Sequence, residues 1–377
     1  MKPLPGSESM AWAVGLGMGI RHHLAQGSVC FGLVVLQGWG SAPVSAQCLA
    51  ALIQVQGQPL AGGRVSGSAV VPLERASGGD TPVLTFATDR GPVRLLLDTG
   101  ATSSMVRPEL AARLGLRPIP LAPEEFRLAG GGADCQSLRP QRLPLPPLRM
   151  GGLSLVGVEA LMLPVAALPA GVDGVLGVPS LRLMPVAVDP LAQQLSLGPG
   201  ALRSQPRQTL PLRWHRGVPL LSLITVAGRV EALADTGAEG LFLSPALAAR
   251  LHPLNQAESL AMVGFCGTQP VRRQTFAGVA FAPPVSAKPV SASHVSASHI
   301  SAGHVSASHG QPDSKQPVAL EPLGLEPLGL EQPREGIITE NPIFSQLGVA
   351  AIVGQELLRQ RPQLWRLDLK EPRLELW

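Results

Sequence analysis

The apolar residues of this chain come in short runs, broken every few positions by glycine, proline or a polar residue. That rhythm predicts short strands and tight turns rather than long helices. In the first half, strands are expected over 83–87 and 93–97, joined by a turn at Gly91-Pro92, and again over 103–106. Pro108 opens a helix that runs to Leu114 and stops at Gly115. A strand then enters Gly130-Gly131-Gly132, which reads as a mobile hairpin tip. Strands follow over 153–163, 186–188 and 194–197, with a short helix over 180–183. The second half repeats the order. Strands over 220–226 and 230–234 turn at Ala227-Gly228, followed by 241–243, a helix from Pro245, a hairpin tip at Gly264-Phe265-Cys266-Gly267, and a strand over 275–281. A short helix over 356–359 and strands over 364–369 and 373–377 close the chain. Residues 47–80 hold glycine, serine and glutamine with a few valines. A leader, a pro-segment and an extra edge strand all fit them.

Two apolar runs end abruptly in a carboxylate. Leu95-Leu96-Leu97 leads into Asp98-Thr99-Gly100-Ala101, and Leu233-Ala234 leads into Asp235-Thr236-Gly237-Ala238, 137 residues later. An aspartate at the end of a buried strand is costly unless it is paired or used. The stretch after each loop also matches, Pro108-Glu109-Leu110-Ala111-Ala112-Arg113-Leu114 against Pro245-Ala246-Leu247-Ala248-Ala249-Arg250-Leu251. A single such loop would be read as a turn with a capping aspartate. Two copies with matching flanks mark an internal repeat.

Composition narrows the class. The 377 residues are 45% hydrophobic and 15% charged, enough for a core and two ordinary domains. The net charge of +4 is scattered without interleaved aromatics, so no nucleic-acid surface is expected. Near the N-terminus, Arg21, His22 and His23 precede the apolar run 29–36, and Val44-Ser45-Ala46 reads as a cleavage site before Gln47. Residues 1–46 therefore read as an export signal, with Met18 an alternative start, and the protein is expected in the periplasm or outside the cell with no stable membrane span after processing. Four cysteines occur, at 30, 48, 135 and 266. Export permits a disulfide. Cys135–Cys266 is the pair of interest because the two occupy similar places in the repeats, and free thiols remain the alternative. Residues 283–336 break the pattern with pentads ending in His294, His299, His304 and His309, low-complexity sequence that cannot bury a core. A period of five aligns these histidines on neither a helix nor a strand face, so no metal site is expected.

With the two loops go two hydrophobic-Gly segments, Val175-Leu176-Gly177 and Ile352-Val353-Gly354, and the two glycine-bearing hairpins. In this order, twice, the set resembles the retropepsin-like and pepsin-like aspartic proteases, in a bacterial form with both lobes in one chain. The resemblance covers roughly 81–377 apart from the insert. It implies a mainly β bilobal fold, lobes at 81–203 and 204–377, and an active site between them. It implies an aspartic endopeptidase that hydrolyses peptide bonds with Asp98 and Asp235 catalytic, a protein or peptide substrate, no cofactor, and a monomer. Thr99 and Thr236 would lock the loops, Gly100, Ala101, Gly237 and Ala238 would shape them, and Gly130, Gly131, Gly132, Gly264 and Phe265 would form flaps. Two carboxylates about 3 Å apart cannot both ionise and share one proton. Ala101 and Ala238 carry no hydroxyl to donate to the ionised form, so the proton should be held to milder pH. Glu239, where the first lobe has Thr102, is a candidate for favouring basic substrates. A catalytically inactive peptide-binding protein and an obligate dimer of tandem domains are the competing readings.

Overall fold

The computed structural model describes residues 45–47, 51–122, 126–132, 135–165, 167–200, 205–282, 332–358 and 364–377. The expected export signal through residue 44, and the pentad repeats through residue 331, lie outside the described residues. The described chain is mainly β, arranged as two large sheet bodies, a six-stranded sheet that joins them and a two-stranded sheet.

Each body is built around the strand that ends in an aspartate. In the first, Val93–Leu97 lies parallel to Gly174–Leu176, which pairs antiparallel with Ser104–Val106. In the second, Gly228–Ala234 lies parallel to Ala351–Val353, which pairs antiparallel with Leu241–Leu243. Leu95, Leu96, Leu97, Val175 and Leu176 are all fully buried. Strands covered on both faces read as unbroken apolar runs, which is how the sequence presents them. The joining sheet has six strands, Ala69–Pro72, Gln194–Leu197 and Val186–Asp189 from the first half and Trp365–Asp368, Arg373–Leu376 and Gln208–Pro211 from the second. The halves meet where Val186, Ala187 and Val188 pair with Leu367, Arg366 and Trp365.

The helices are short and start as their sequences dictate. Pro108–Leu114 buries Leu110, Ala111 and Leu114 and ends at Gly115, whose φ of 59° is left-handed and suits glycine. Its counterpart from Pro245 is shorter, Pro245–Ala248, capped by Ser244, whose Oγ accepts from Leu247 N. Pro342–Leu347, a helix not expected from the apolar pattern, carries the same punctuation: Asn341 Oδ1 accepts from Ile343 N, and Gly348 closes it at φ 64°.

Of the readings open for 47–80, strand is the one seen, and two other expectations change. Leu52–Gln56, Gly62–Ser66 and Ala69–Pro72 pair with Arg127–Gly130, Leu153–Met162 and Gln194–Leu197. The apolar triplet Ala51-Leu52-Ile53 is buried, and a side chain added at Gly62 would lie 2.0 Å from Pro179 O. The insert ends before residue 336, because Arg334–Ile338 is a strand between Leu241–Leu243 and Gly267–Ala277. Its Ile337 and Ile338 supply core, and Arg334 is buried with them. Finally, Gly130–Gly132 does not tip a self-paired hairpin. The chain returns as Gln141–Pro144, which pairs with Leu153–Met162 and Ile119–Pro120 instead.

Candidate active site

The two Asp-Thr-Gly loops face each other and are held by a reciprocal set of hydrogen bonds. Thr99 Oγ1 donates to Ala234 O at 2.6 Å and accepts from Thr236 N at 3.0 Å. Thr236 Oγ1 donates to Leu97 O at 2.9 Å and accepts from Thr99 N at 3.1 Å. Each hydroxyl therefore spans both bodies and satisfies a donor and an acceptor on the opposite loop. Both threonines are buried, where an unmade hydrogen bond costs about 1–3 kcal/mol.

Glycine is required after each threonine by crowding. A Cβ at Gly100 would lie 2.4 Å from Asp235 Cγ, and one at Gly237 would lie 2.5 Å from Asp98 Cγ. Each glycine lets the opposite carboxylate approach its backbone. Behind the loops, Asp98 N donates to Leu176 O and Asp235 N to Val353 O, so the hydrophobic-Gly segments set the position of both aspartates. Gly177 and Gly354 pass so close to the loops that a Cβ would meet backbone of Ala101 and Ser103 in one case and of Ala238 and Gly240 in the other.

Asp98 and Asp235 are each 1% exposed. Gly100 N donates to Asp98 Oδ1 at 2.8 Å, and Gly237 N to Asp235 Oδ1 at 3.0 Å. Burial is the larger influence and raises both pKa values. Asp98 is held well above the usual carboxylate range by burial, then by the Asp235 charge, and by donating its proton to Asp235. Asp235 is pushed up only to about 6, because burial is opposed by the bond from Asp98 and by the amides of Gly237, Ala238 and Ala51. The pair titrates as a unit, and burial raises its proton affinity. Asp235 Oδ2 is buried with no hydrogen-bond partner.

Above the carboxylates the two flap regions meet. Arg127–Gly130 leads to Gly131, whose carbonyl accepts from Cys266 N at 2.9 Å. Glu258–Gly264 and Gly267–Ala277 form the second flap as a true hairpin, with Phe265 and Cys266 buried at its tip. Gly132 and Gly264 lack room for a Cβ, against Cys266 and Gly131 backbone. Cys135 and Cys266 form a disulfide, Cα to Cα 4.6 Å, that fastens the flaps together.

Other residues take different places from those the sequence suggested. Glu239 is no cleft carboxylate. It accepts from Asp80 N, Thr81 N and Thr81 Oγ1 at 2.8, 2.9 and 2.5 Å, and so ties the second loop to the first body. Sequence reasoning missed Gln355, whose Nε2 donates to Thr236 O at 2.8 Å, and Ser104, whose Oγ accepts from Gly177 N at 3.1 Å. Their adjacency to Gly354 and to the Asp98 loop was the available signal. Among the described residues no group of His, Cys, Asp and Glu is placed to hold a metal, and no helix is long and apolar enough to cross a membrane.

Residues 84–180 match the family model described as aspartyl protease. The match takes in the Asp98 loop, Gly130–Gly132 and Val175-Leu176-Gly177, so this part of the chain is aspartyl protease-like. Among solved structures, basic 7S globulin from soybean is similar at 11% identity and TM-score 0.38, over 82% of this chain and 94% of that one. Conglutin gamma, a basic 7S globulin from lupine seeds, is similar at 11% identity and TM-score 0.40, over 83% and 95%. A search of curated proteins finds no match.

Proposed function

We propose that the chain is an aspartic endopeptidase whose single active site is assembled from Asp98 and Asp235 of one chain. The observation that carries this is the pair of buried carboxylates brought face to face and pinned by the threonine lattice. In the reaction, ionised Asp235 takes a proton from water as the water oxygen attacks the peptide carbonyl carbon. Asp98 gives its proton to the carbonyl oxygen, leaving a neutral tetrahedral diol. The proton on Asp235 then passes to the amide nitrogen, the C–N bond breaks, and a diol hydroxyl returns a proton to Asp98. Acid and amine leave with the pair restored. The substrate is a protein or peptide, the working unit a monomer, and the place of action outside the cytoplasm, as the N-terminal sequence suggests.

The retention of both aspartates, buried at unfavourable cost, favours a catalyst over a peptide-binding protein on the same fold. The test is cleavage of a mixed peptide library by wild type, Asp98→Asn and Asp235→Asn. Wild type should cut, and each variant should lose at least about a thousandfold in kcat, in line with removal of a proton-transfer group. Equal cutting by either variant would refute the assignment.

A further inference from the structure

A cavity of about 640 Å³ is lined by residues of both bodies and of the joining sheet, and its charges are of one sign. Arg182 comes from the first body, Arg216 from the second and Lys370 from the joining sheet. Among the described residues no Asp or Glu lines it. Val178 and Pro179 supply apolar wall, and Thr102 links the cavity to the Asp98 loop.

The fold holds each cation in place. Arg182 follows the short helix Val178–Leu181, and its guanidinium lies over the ring of Trp214, 4.5 Å from the centroid. Stacking engages the flat face of a guanidinium and leaves the N–H groups in its plane free to donate. No side chain or carbonyl of the described residues takes them up. Lys370 stands in the turn between Trp365–Asp368 and Arg373–Leu376. Asp368 Oδ1 braces that turn by accepting from Lys370 N and from Glu371 N, each at 3.1 Å.

Arg216 is the most telling of the three. His215 pairs with Val218, so Arg216-Gly217 is a two-residue hairpin turn. Both residues are left-handed, at φ 47° and 80°. Positive φ at both places makes a type I′ turn, which favours Asn-Gly or Asp-Gly. A long side chain in the first place is a local strain, and such strain persists where a site has a use for it. The turn also leans across to the first body, since a Cβ at Gly217 would lie 3.7 Å from Thr102 Cγ2. The Arg216 guanidinium meets a neutral acceptor, Gln346 Oε1 at 3.3 Å, and no carboxylate among the described residues.

We propose that this cavity binds the carboxylate of a peptide, from an acidic side chain or from the C-terminus. The inference rests on the peptidase reading above and names its substrate class. Like charges gathered around one cavity repel each other until an anion enters. A guanidinium with free edges then grips a carboxylate through two parallel hydrogen bonds. The preference is opposite in sign to the one that Glu239 suggested in the sequence, because Glu239 is engaged by Asp80 and Thr81.

The test is isothermal titration of Asp98→Asn chains with short peptides. One has blocked ends and a central glutamate between valine and leucine. The second is its glutamine counterpart, and the third is neutral with a free C-terminus. A carboxylate-bearing peptide should bind at least about tenfold more tightly than the blocked glutamine peptide, and whichever does so assigns the source of the carboxylate. Adding Arg182→Gln with Lys370→Gln should abolish that difference. Arg216→Asn is the sharper variant, because it supplies a residue that the turn favours. Its thermal midpoint should hold or rise while its carboxylate affinity falls at least about tenfold. An arginine with a merely structural role would leave binding unmoved. Equal binding of all three peptides, or a preference that survives these substitutions, overturns the proposal. Turnover separates it from the peptidase reading. If wild type cuts no peptide but the carboxylate preference is present and lost in the variants, the peptidase reading fails and the binding site stands. If wild type cuts all three peptides with equal kcat/KM and Arg216→Asn alters none of these values, the binding site fails alone.

Discussion

At the scale of single residues, two buried carboxylates set both the chemistry and a stability cost. Their native pKa values are raised, so the folded chain holds protons that the unfolded chain releases above about pH 4. The native state binds more protons, and stability therefore falls as pH rises, from about 4 through about 6 for Asp235 and higher for Asp98. Asp98→Asn removes one of the two titrating groups while keeping the shape. Its thermal midpoint should exceed that of wild type at pH 7.5, by a stability gain of about 1–3 kcal/mol, and the gap should close by pH 4. Scanning calorimetry of both proteins at the two pH values measures this, and a constant gap would contradict it. For catalysis, Asp235 must be ionised and Asp98 protonated, which predicts a bell-shaped rate profile whose acid limb lies near 6. Ala101 and Ala238 contribute backbone amides to the aspartates, so Ala101→Ser with Ala238→Ser should move the whole profile to lower pH. An unmoved profile would show that burial alone sets it. Asp98, Asp235 and their threonines and glycines were legible in the sequence because the motif is contiguous and repeated. Gln355 and Glu239 were not, since their roles depend on partners 119 and 158 positions away.

At the scale of elements, strands buried on both faces were legible because apolar runs ending in Asp leave little freedom. Pairing partners were not. Arg127–Gly130 reads locally as half of a hairpin, yet its partner is Leu52–Gln56, and only the burial of Ala51-Leu52-Ile53 hints at that. The flaps themselves are fastened by Cys135 and Cys266, 131 residues apart. In the chain-entropy account, closing so long a loop is worth about 5 kcal/mol. Cys135→Ser with Cys266→Ser should therefore lower the thermal midpoint and, by freeing the flaps, speed peptide association. Stopped-flow fluorescence with a labelled peptide, with and without reductant, reads the second effect. Association that is unchanged by reduction would show that the bond does not limit access.

At the scale of the molecule, the pseudo-repeat was legible as two halves, and the joining sheet was not, since its register at Val186–Asp189 and Trp365–Asp368 pairs residues far apart in sequence. The second body's sheet is completed by Val279–Phe281 and Arg334–Ile338 on either side of the pentad repeats. Deleting residues 285–330, low-complexity sequence without a core pattern, should accordingly leave the cooperative melting transition and peptide turnover within about twofold of wild type. Loss of the transition would show that the second body depends on that stretch.

The claim that one chain carries one complete site is tested most directly by mixing Asp98→Asn chains with Asp235→Asn chains. Turnover is followed across a range of total concentration beside wild type. With Thr99, Thr236 and both aspartates joined within a chain, wild-type rate should scale linearly with concentration and the mixture should stay inactive. Recovery of activity in the mixture, rising with concentration, would mean that the aspartates meet between chains and would contradict the account.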